Sequence, residues 1–220
     1  MKRLTTYTIR FGGHELWLTD RRALYWPGEQ ALVLADLHLG KAAHFRRHGI
    51  ALPSSVSDRD LQRLHALLDH FRPKHLVVVG DFSHAGANAE VERFAHIAEK
   101  HADTCFTLVR GNHDRLSSRQ LAEWGFKNCL DTWQLKNIRF AHEPIGGLDH
   151  IPTISGHLHP GVRIPMPHKR HVKLPCYVLT GQQLILPAFS LFTGLDTASV
   201  PPSAICYAIY DGGIIEVGPQ

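Results

Sequence analysis

The stretch LVLADLH, residues 32–38, carries four apolar residues straight into Asp36 and His38. A short apolar run of this kind reads as a buried strand. Its end on two metal-ligand residue types raises the question of whether other strands end the same way. Four more do. LVVVGD (76–81) ends on Asp81, and TLVRGNHD (107–114) ends on Asn112, His113 and Asp114. IRFAHEP (138–144) delivers His142, and TISGHLHP (153–160) delivers His157 and His159. Any one of these is weak, because a D-x-H pair can cap a helix and GNHD can be an ordinary turn. Five in order, each behind an apolar run, point to one shared site. In open α/β sheets the ligand crevice lies at the carboxyl ends of the strands.

Spacing sharpens this reading. In extended chain, residues i and i+2 face the same side. Asp36 with His38, and His157 with His159, are therefore expected to grip a common centre. Gly80, Gly111 and Gly156 each stand close to a candidate ligand. Glycine permits the tight backbone approach that such turns need.

Outward from these runs, the first half alternates strand and helix. TYTIRF, HELWLT and ALVLAD read as strands. DRDLQRLHALLDHF (58–71) has apolar residues at 61, 64, 67, 68 and 71, which is helical spacing, and Pro73 stops it. A second helix is expected over 88–102, and a short one in RQLAEWGF (119–126). Beyond about residue 130 the chain is strand-rich, with turns at Thr180-Gly181 and Asp211-Gly212-Gly213. The pattern predicts α/β architecture: a sheet flanked by helices with a second sheet packed on it, in a single domain over residues 1–220.

Composition sets outer bounds. The 220 residues are 44% hydrophobic and 20% charged, an ordinary globular mix that supports a real core. No run of about 18 apolar residues occurs, so no membrane span is expected. The opening MKRLTTYTIRFGG has no apolar segment behind its basic residues, so no secretory signal is expected either. Cys105, Cys129, Cys176 and Cys206 form no C-x-x-C pair and read as reduced thiols, which suits a cytoplasmic protein. Net charge is +4, a mild excess compatible with a polyanionic partner.

The ordered set D-x-H, G-D, G-N-H-D, a lone His and G-H-x-H resembles the calcineurin-like metallophosphoesterases. The resemblance runs from Asp36 to His159. It implies a four-layer α/β/β/α sandwich of two mixed β-sheets flanked by helices, with two divalent metal ions. By that resemblance Asp36, His38 and His159 bind one metal, Asn112, His142 and His157 bind the other, and Asp81 bridges them. His113 sits beside the scissile phosphate, steadied by Asp114. LVLADLHLGKAAHFRRHGIALP and LPAFSLFTG further resemble the ligase-associated DNA damage response endonuclease family (PdeM). That implies a manganese-dependent phosphodiesterase in DNA repair, working beside a DNA ligase and a helicase. Two departures stand out. The G-D motif continues as GDFSHAG, where His84 either approaches substrate or only packs, and the lone histidine is followed by Glu143, which would narrow the mouth of the site.

The chemistry is consistent with the residue types. Two divalent ions against Asp36, Asp81 and a bridging hydroxide leave a residual positive charge, which suits an anionic phosphodiester. A metal-bridged hydroxide supplies a nucleophile at neutral pH. The mixed N and O set fits Mn, Fe or Zn better than Mg or Ca. His113 is expected to protonate the leaving oxygen or stabilise transition-state charge. Lys41, Arg46 and Arg47 follow the first ligand pair and are expected to hold flanking phosphates of DNA, unless they form only a solvated loop. The leading expectation is a DNA endonuclease. Its rivals are a phosphatase or cyclic-nucleotide phosphodiesterase, and a metal-stabilised DNA-repair binding module without chemistry. Retention of His113 argues against the last, since a structural site has no use for it.

Overall fold

The computed structural model describes residues 3–41, 45, 55–84, 88–114, 116–145, 150–167 and 170–218. A first sheet is built from β1 (Thr6–Phe11), β2 (His14–Thr19), β3 (Leu24–Trp26), β4 (Ala31–Ala35), β5 (His75–Val79), β6 (Cys105–Val109) and β7 (Phe126–Leu130), in that spatial order. Pairing is antiparallel from β1 to β4 and parallel from β4 to β7. The parallel strands ALVLA, HLVVV and CFTLV are near-continuous apolar runs because both their faces are covered.

Among the described residues, three helices cross over between these parallel strands: α1 (Ser55–Phe71), α2 (Ala89–Lys100) and α3 (Ser118–Glu123). Asn88 caps α2 by accepting from the Glu90 and Val91 N–H groups, and Ser117 with Gln120 forms a capping box on α3. Their apolar stripes pack on one face of the first sheet. Leu61, Leu64, Leu68, Val91, Phe94 and Leu121 meet Leu32, Leu34, Leu76, Val78, Phe106 and Leu108 there.

The second sheet contains β8 (Thr132–Leu135), β9 (Ile138–Ala141), β10 (Thr153–Ser155), β11 (Gly161–Met166), β12 (Arg170–Leu179), β13 (Gln183–Ile185), β14 (Ile205–Tyr210) and β15 (Gly213–Val217). Its order is β15-β14-β12-β13-β10-β9-β8, with β11 paired to β12 off that path. Strands β9, β10 and β13 run parallel. The two mixed sheets pack face to face, as expected. Between them lie Val33, Ala35, Val77, Val79 and Val109 from the first sheet, against Ile138, Phe140, Ile154, Tyr177, Leu184 and Ile209 from the second.

Several elements depart from the sequence reading. The expected sandwich is present in its two mixed sheets and in the helices on the first; among the described residues the outer face of the second sheet is covered by Leu158 and Val200, which pack on Val162, Cys176, Val178, Ile185 and Cys206. Residues 186–204 form turns, bends and isolated bridges, and Pro187, Pro201 and Pro202 disfavour a helix in that stretch. Strand β7 went unread, although its first residue, Phe126, closed the expected helix RQLAEWGF; Gly125, at φ +92, ends α3 and lets the chain turn into the strand. Strand β11 also went unread, because it carries Pro165, which a strand tolerates only at an edge.

Candidate metal centre

Register explains the convergence. Ala35 aligns with Val79, and Val79 with Val109, so β4, β5 and β6 end level. In the second sheet Ala141 aligns with Ser155, and Ser155 with Ile185. An isolated parallel bridge from Ala35 to Ala188 joins the two layers at this rim. The residues just past these ends are Asp36, Gly80-Asp81, the GNHD turn, His142 and Gly156-His157.

The ligand pairs meet, but not through extended backbone. Asp36 (φ 55), His38 (φ 51), Asp81 (φ 44), His157 (φ 69) and His159 (φ 48) all adopt the left-handed conformation. Each costs an L-residue about 1–2 kcal/mol, although Asp and His tolerate it better than most. Such strain persists only where surrounding structure over-determines it. Here the Asp36 N–H donates to the Gly80 carbonyl at 3.2 Å and the His38 N–H to the Asp81 carbonyl at 2.8 Å. The Gly156 N–H donates to the His142 carbonyl at 3.0 Å. Gly80, at φ +75, also makes room: a Cβ there would overlap the His142 ring.

The side chains form two linked groups. Asp36, His38 and His159 offer ligand atoms within 4.8 Å of one another, as do Asp36, Asp81 and His142. His38 Nε2 lies 3.2 Å from His159 Nε2, and His159 Nε2 lies 3.8 Å from Asp36 Oδ2. His142 Nε2 lies 3.6 Å from Asp81 Oδ1 and 3.0 Å from His157 Nδ1. Asp81 Oδ2 reaches within 4.0 Å of His38 Nε2, so its two oxygens face both groups. Asn112 is exposed beside this second group, its Nδ2 donating to Glu143 Oε1 at 2.7 Å. That bond leaves the amide oxygen free to turn inward. Glu143 in turn lies 4.0 Å from His157 Nε2.

Electrostatics favour a cation here. Burial, then the neighbouring Asp81 carboxylate, raises the Asp36 pKa well above its usual value. Burial, then Lys41, pushes His38 down to about 2 and His159 down to about 4. Burial also lowers His142. Neutral imidazoles are the form that binds metal, and paired buried carboxylates repel until a cation intervenes. Asp36 Oδ1 is buried without a hydrogen-bond partner. Nitrogens about 3 Å apart and an orphaned carboxylate oxygen fit shared cations with N and O ligands.

Around this centre stand the remaining candidates. The His113 ring lies 4.9 Å from that of His84 and 6.3 Å from that of His38, and the His113 backbone N–H donates to Asp81 Oδ1 at 3.1 Å. His84 thus packs against His113 and faces the site. Asp114 accepts from the Gly111 N–H at 2.9 Å and the Ser83 N–H at 3.1 Å, steadying the turn through backbone. Burial raises its carboxyl to about 6. Lys41 is half-buried, feels the charges of Asp81 and Asp36, and has its pKa lowered by burial. Arg46 and Arg47 lie outside the described residues.

Some supporting residues escaped the sequence reading. Glu90 Oε2 accepts the Gly40 N–H at 2.6 Å, tying α2 to the loop behind His38. Arg63 stacks over the Phe189 ring at 4.2 Å and donates to the Phe189 carbonyl, while Asp60 accepts the Leu191 N–H. Arg22 donates to the carbonyls of Ala188 and Ser190. These clamps hold LPAFS against the site, where Phe189 N–H bonds the Ala35 carbonyl at 2.7 Å and Ser190 N–H the Asp36 carbonyl at 3.2 Å. The one available signal was an Asp-Arg pair, three apart, close to the apolar stripe of α1.

No helix among the described residues is long and apolar enough to cross a membrane. A profile for calcineurin-like phosphoesterases matches residues 30–186. Pseudomonas putida nuclease MPE superposes with a TM-score of 0.81 at 29% identity, covering 97% of this chain and all of that one. YfcE, a phosphoesterase from E. coli, gives a TM-score of 0.44 at 18% identity over 86% of this chain and 99% of that one. Comparison with curated proteins returns no significant match.

Proposed function

The chain belongs to the calcineurin-like phosphoesterase family and is a metal-dependent phosphoesterase, and on that premise we propose that its substrate is the phosphodiester backbone of DNA. The observation that carries this reading is the likeness to a nuclease over 97% of the chain. A likeness that extends through the strand-rich second half and the Arg63-clamped LPAFS segment reaches beyond the metal ligands to the parts that shape the rim.

In this reading Asp36, His38 and His159 hold one ion, Asn112, His142 and His157 hold a second, and Asp81 spans both. Bound divalent ions supply Lewis acidity and lower the pKa of water toward ~7. Asp81 orients the pair and, through the His113 N–H, fixes the turn that presents the His113 ring. His113 donates a proton to the departing oxygen, with His84 packed behind it. Glu143 holds the Asn112 amide so that its oxygen faces the metal. Lys41 adds positive charge beside the entering phosphate, and Arg46 and Arg47 extend that charge along the strand. Manganese is the proposed ion, with iron and zinc as its competitors for an N and O set. DNA repair in the cytoplasm, beside a DNA ligase and a helicase, completes the proposal.

Chelated protein reloaded with Mn²⁺ and offered single-stranded, duplex and nicked DNA, a bis-aryl phosphate, a monoester and cyclic nucleotides provides the test. Cleavage of DNA and of the aryl diester is expected. Turnover of the monoester alone would make the protein a phosphatase. Hydrolysis of nothing, with metal bound, would leave a binding module.

A further inference from the structure

Far from the strand ends, two helices bring a second set of metal-ligand side chains together. His65 and Asp69 are four residues apart on α1, hence on one face. His101 is the residue that terminates α2, its N–H bonded back to the carbonyls of Ile97 and Ala98. His65 Nδ1 lies 3.1 Å from His101 Nε2. The Asp69 oxygens lie 3.6 Å from His101 Nε2 and 3.7 Å from His65 Nε2. One ligand atom from each of the three falls within 4.8 Å of the others.

We propose that His65, Asp69 and His101 form a separate metal site, selective for Zn²⁺ and similar borderline divalent ions, that clips α1 to the end of α2. Two imidazoles and one carboxylate are three protein ligands of a tetrahedral ion, whose ligand–ligand edges are about 3.3 Å at normal bond lengths. With His65 Nδ1 as the donor, the 3.1 Å edge to His101 Nε2 and the 3.6 Å edge from His101 Nε2 to Asp69 lie on either side of that value; the 3.7 Å separation belongs to the other His65 nitrogen. The His101 side chain is 13% exposed and Asp69 61%, so the cluster is anchored on one side and open to water on the other. Water then takes the fourth position. His101 is positioned by backbone hydrogen bonds and His65 by the helix, so little ordering remains to be done on binding. Nothing links this site to the phosphoesterase chemistry; its consequence is mechanical. A metal that binds only the folded protein stabilises it by mass action, and this one ties together the two long helices that cover the first sheet.

The test uses the full chain stripped by chelator and titrated with Co²⁺, whose visible absorption reports tetrahedral N and O coordination, with bound metal counted after dialysis. His65→Gln and His101→Gln are compared with the parent protein. Each variant is expected to bind about one ion fewer per chain and to lose the matching absorption, while diester hydrolysis stays unchanged. The quantity that decides is the difference between parent and variant. The ions remaining in the variants report on the centre at the strand ends, so failure of one reading does not masquerade as failure of the other. Equal metal content in parent and variants would show that His65 and His101 only share a hydrogen bond, and would overturn the proposal. Thermal unfolding in chelator checks that the variants are folded, and Zn²⁺ should raise the parent's Tm more than theirs.

Discussion

The two sheets contribute different chemistry to one centre. The first sheet delivers Asp36, His38, Asp81 and the GNHD turn, and so supplies both carboxylates. The second sheet delivers His142, His157 and His159, all imidazoles. Neither layer alone holds a complete set, so the site exists only while the inter-sheet core is intact. The first sheet is also backed by helices on its far face, whereas among the described residues the second is backed there by loops. The lesson is that bringing these side chains together depends on packing between the sheets more than on packing beneath either one.

Removing the shared carboxylate should have the largest effect. Asp81→Ala withdraws the group whose oxygens face both ligand sets and that accepts the His113 N–H. Diester hydrolysis under saturating metal should fall by roughly 10⁴-fold, the rate equivalent of ~5 kcal/mol. A loss of only a few-fold would show that the two groups act independently.

The packing contrast comes next. Phe140→Ala, in the inter-sheet core, and Phe94→Ala, under the helices, each remove a fully buried ring and should cost about 3–5 kcal/mol by urea unfolding. Metal affinity of the folded fraction should drop for Phe140→Ala and hold for Phe94→Ala. Equal affinity in both would break the comparison between the sheets.

A smaller effect is expected at Glu143, which holds Asn112 from the second sheet's loop. Glu143→Ala should weaken one metal by about tenfold or somewhat more and leave the other unchanged, as measured by calorimetric titration. Equal weakening of both would contradict the assignment of Asn112 to one group.

A further effect concerns protons. Burial holds His159 at about 4 in the folded protein, below its unfolded value of about 6.5. The folded form therefore resists a proton that the unfolded form accepts, and stability is lost as pH falls from about 6.5 toward 4. Asp36 and Asp114, both raised, work in the opposite sense, so the comparison must be between proteins. Without metal, the parent protein should lose up to ~1.4 kcal/mol per pH unit relative to His159→Gln across that window. Parallel curves would show that His159 titrates normally.

The site was more legible in the sequence than its supports. Asp36, Asp81, His142 and His157 could be read because each follows an apolar strand within one or two residues, a local pattern. How they meet could not. The pleat argument for Asp36 and His38 gave the right partners through the wrong geometry, since both adopt left-handed backbone stabilised by Gly80 and Asp81 on another strand. The Arg63–Phe189 and Glu90–Gly40 contacts join residues 126 and 50 positions apart, and no periodicity marks such pairs. Strand β11 was hidden by its proline, and β7 by the helical residues that precede it.

The central claim is that seven side chains from both sheets surround two cations. Anomalous scattering from crystals soaked in Mn²⁺ tests it most directly. Two peaks about 3.5–4 Å apart are expected, with Asp81 between them, Asp36, His38 and His159 on one, and Asn112, His142 and His157 on the other. Clear density for those side chains with no anomalous peak among them would contradict it.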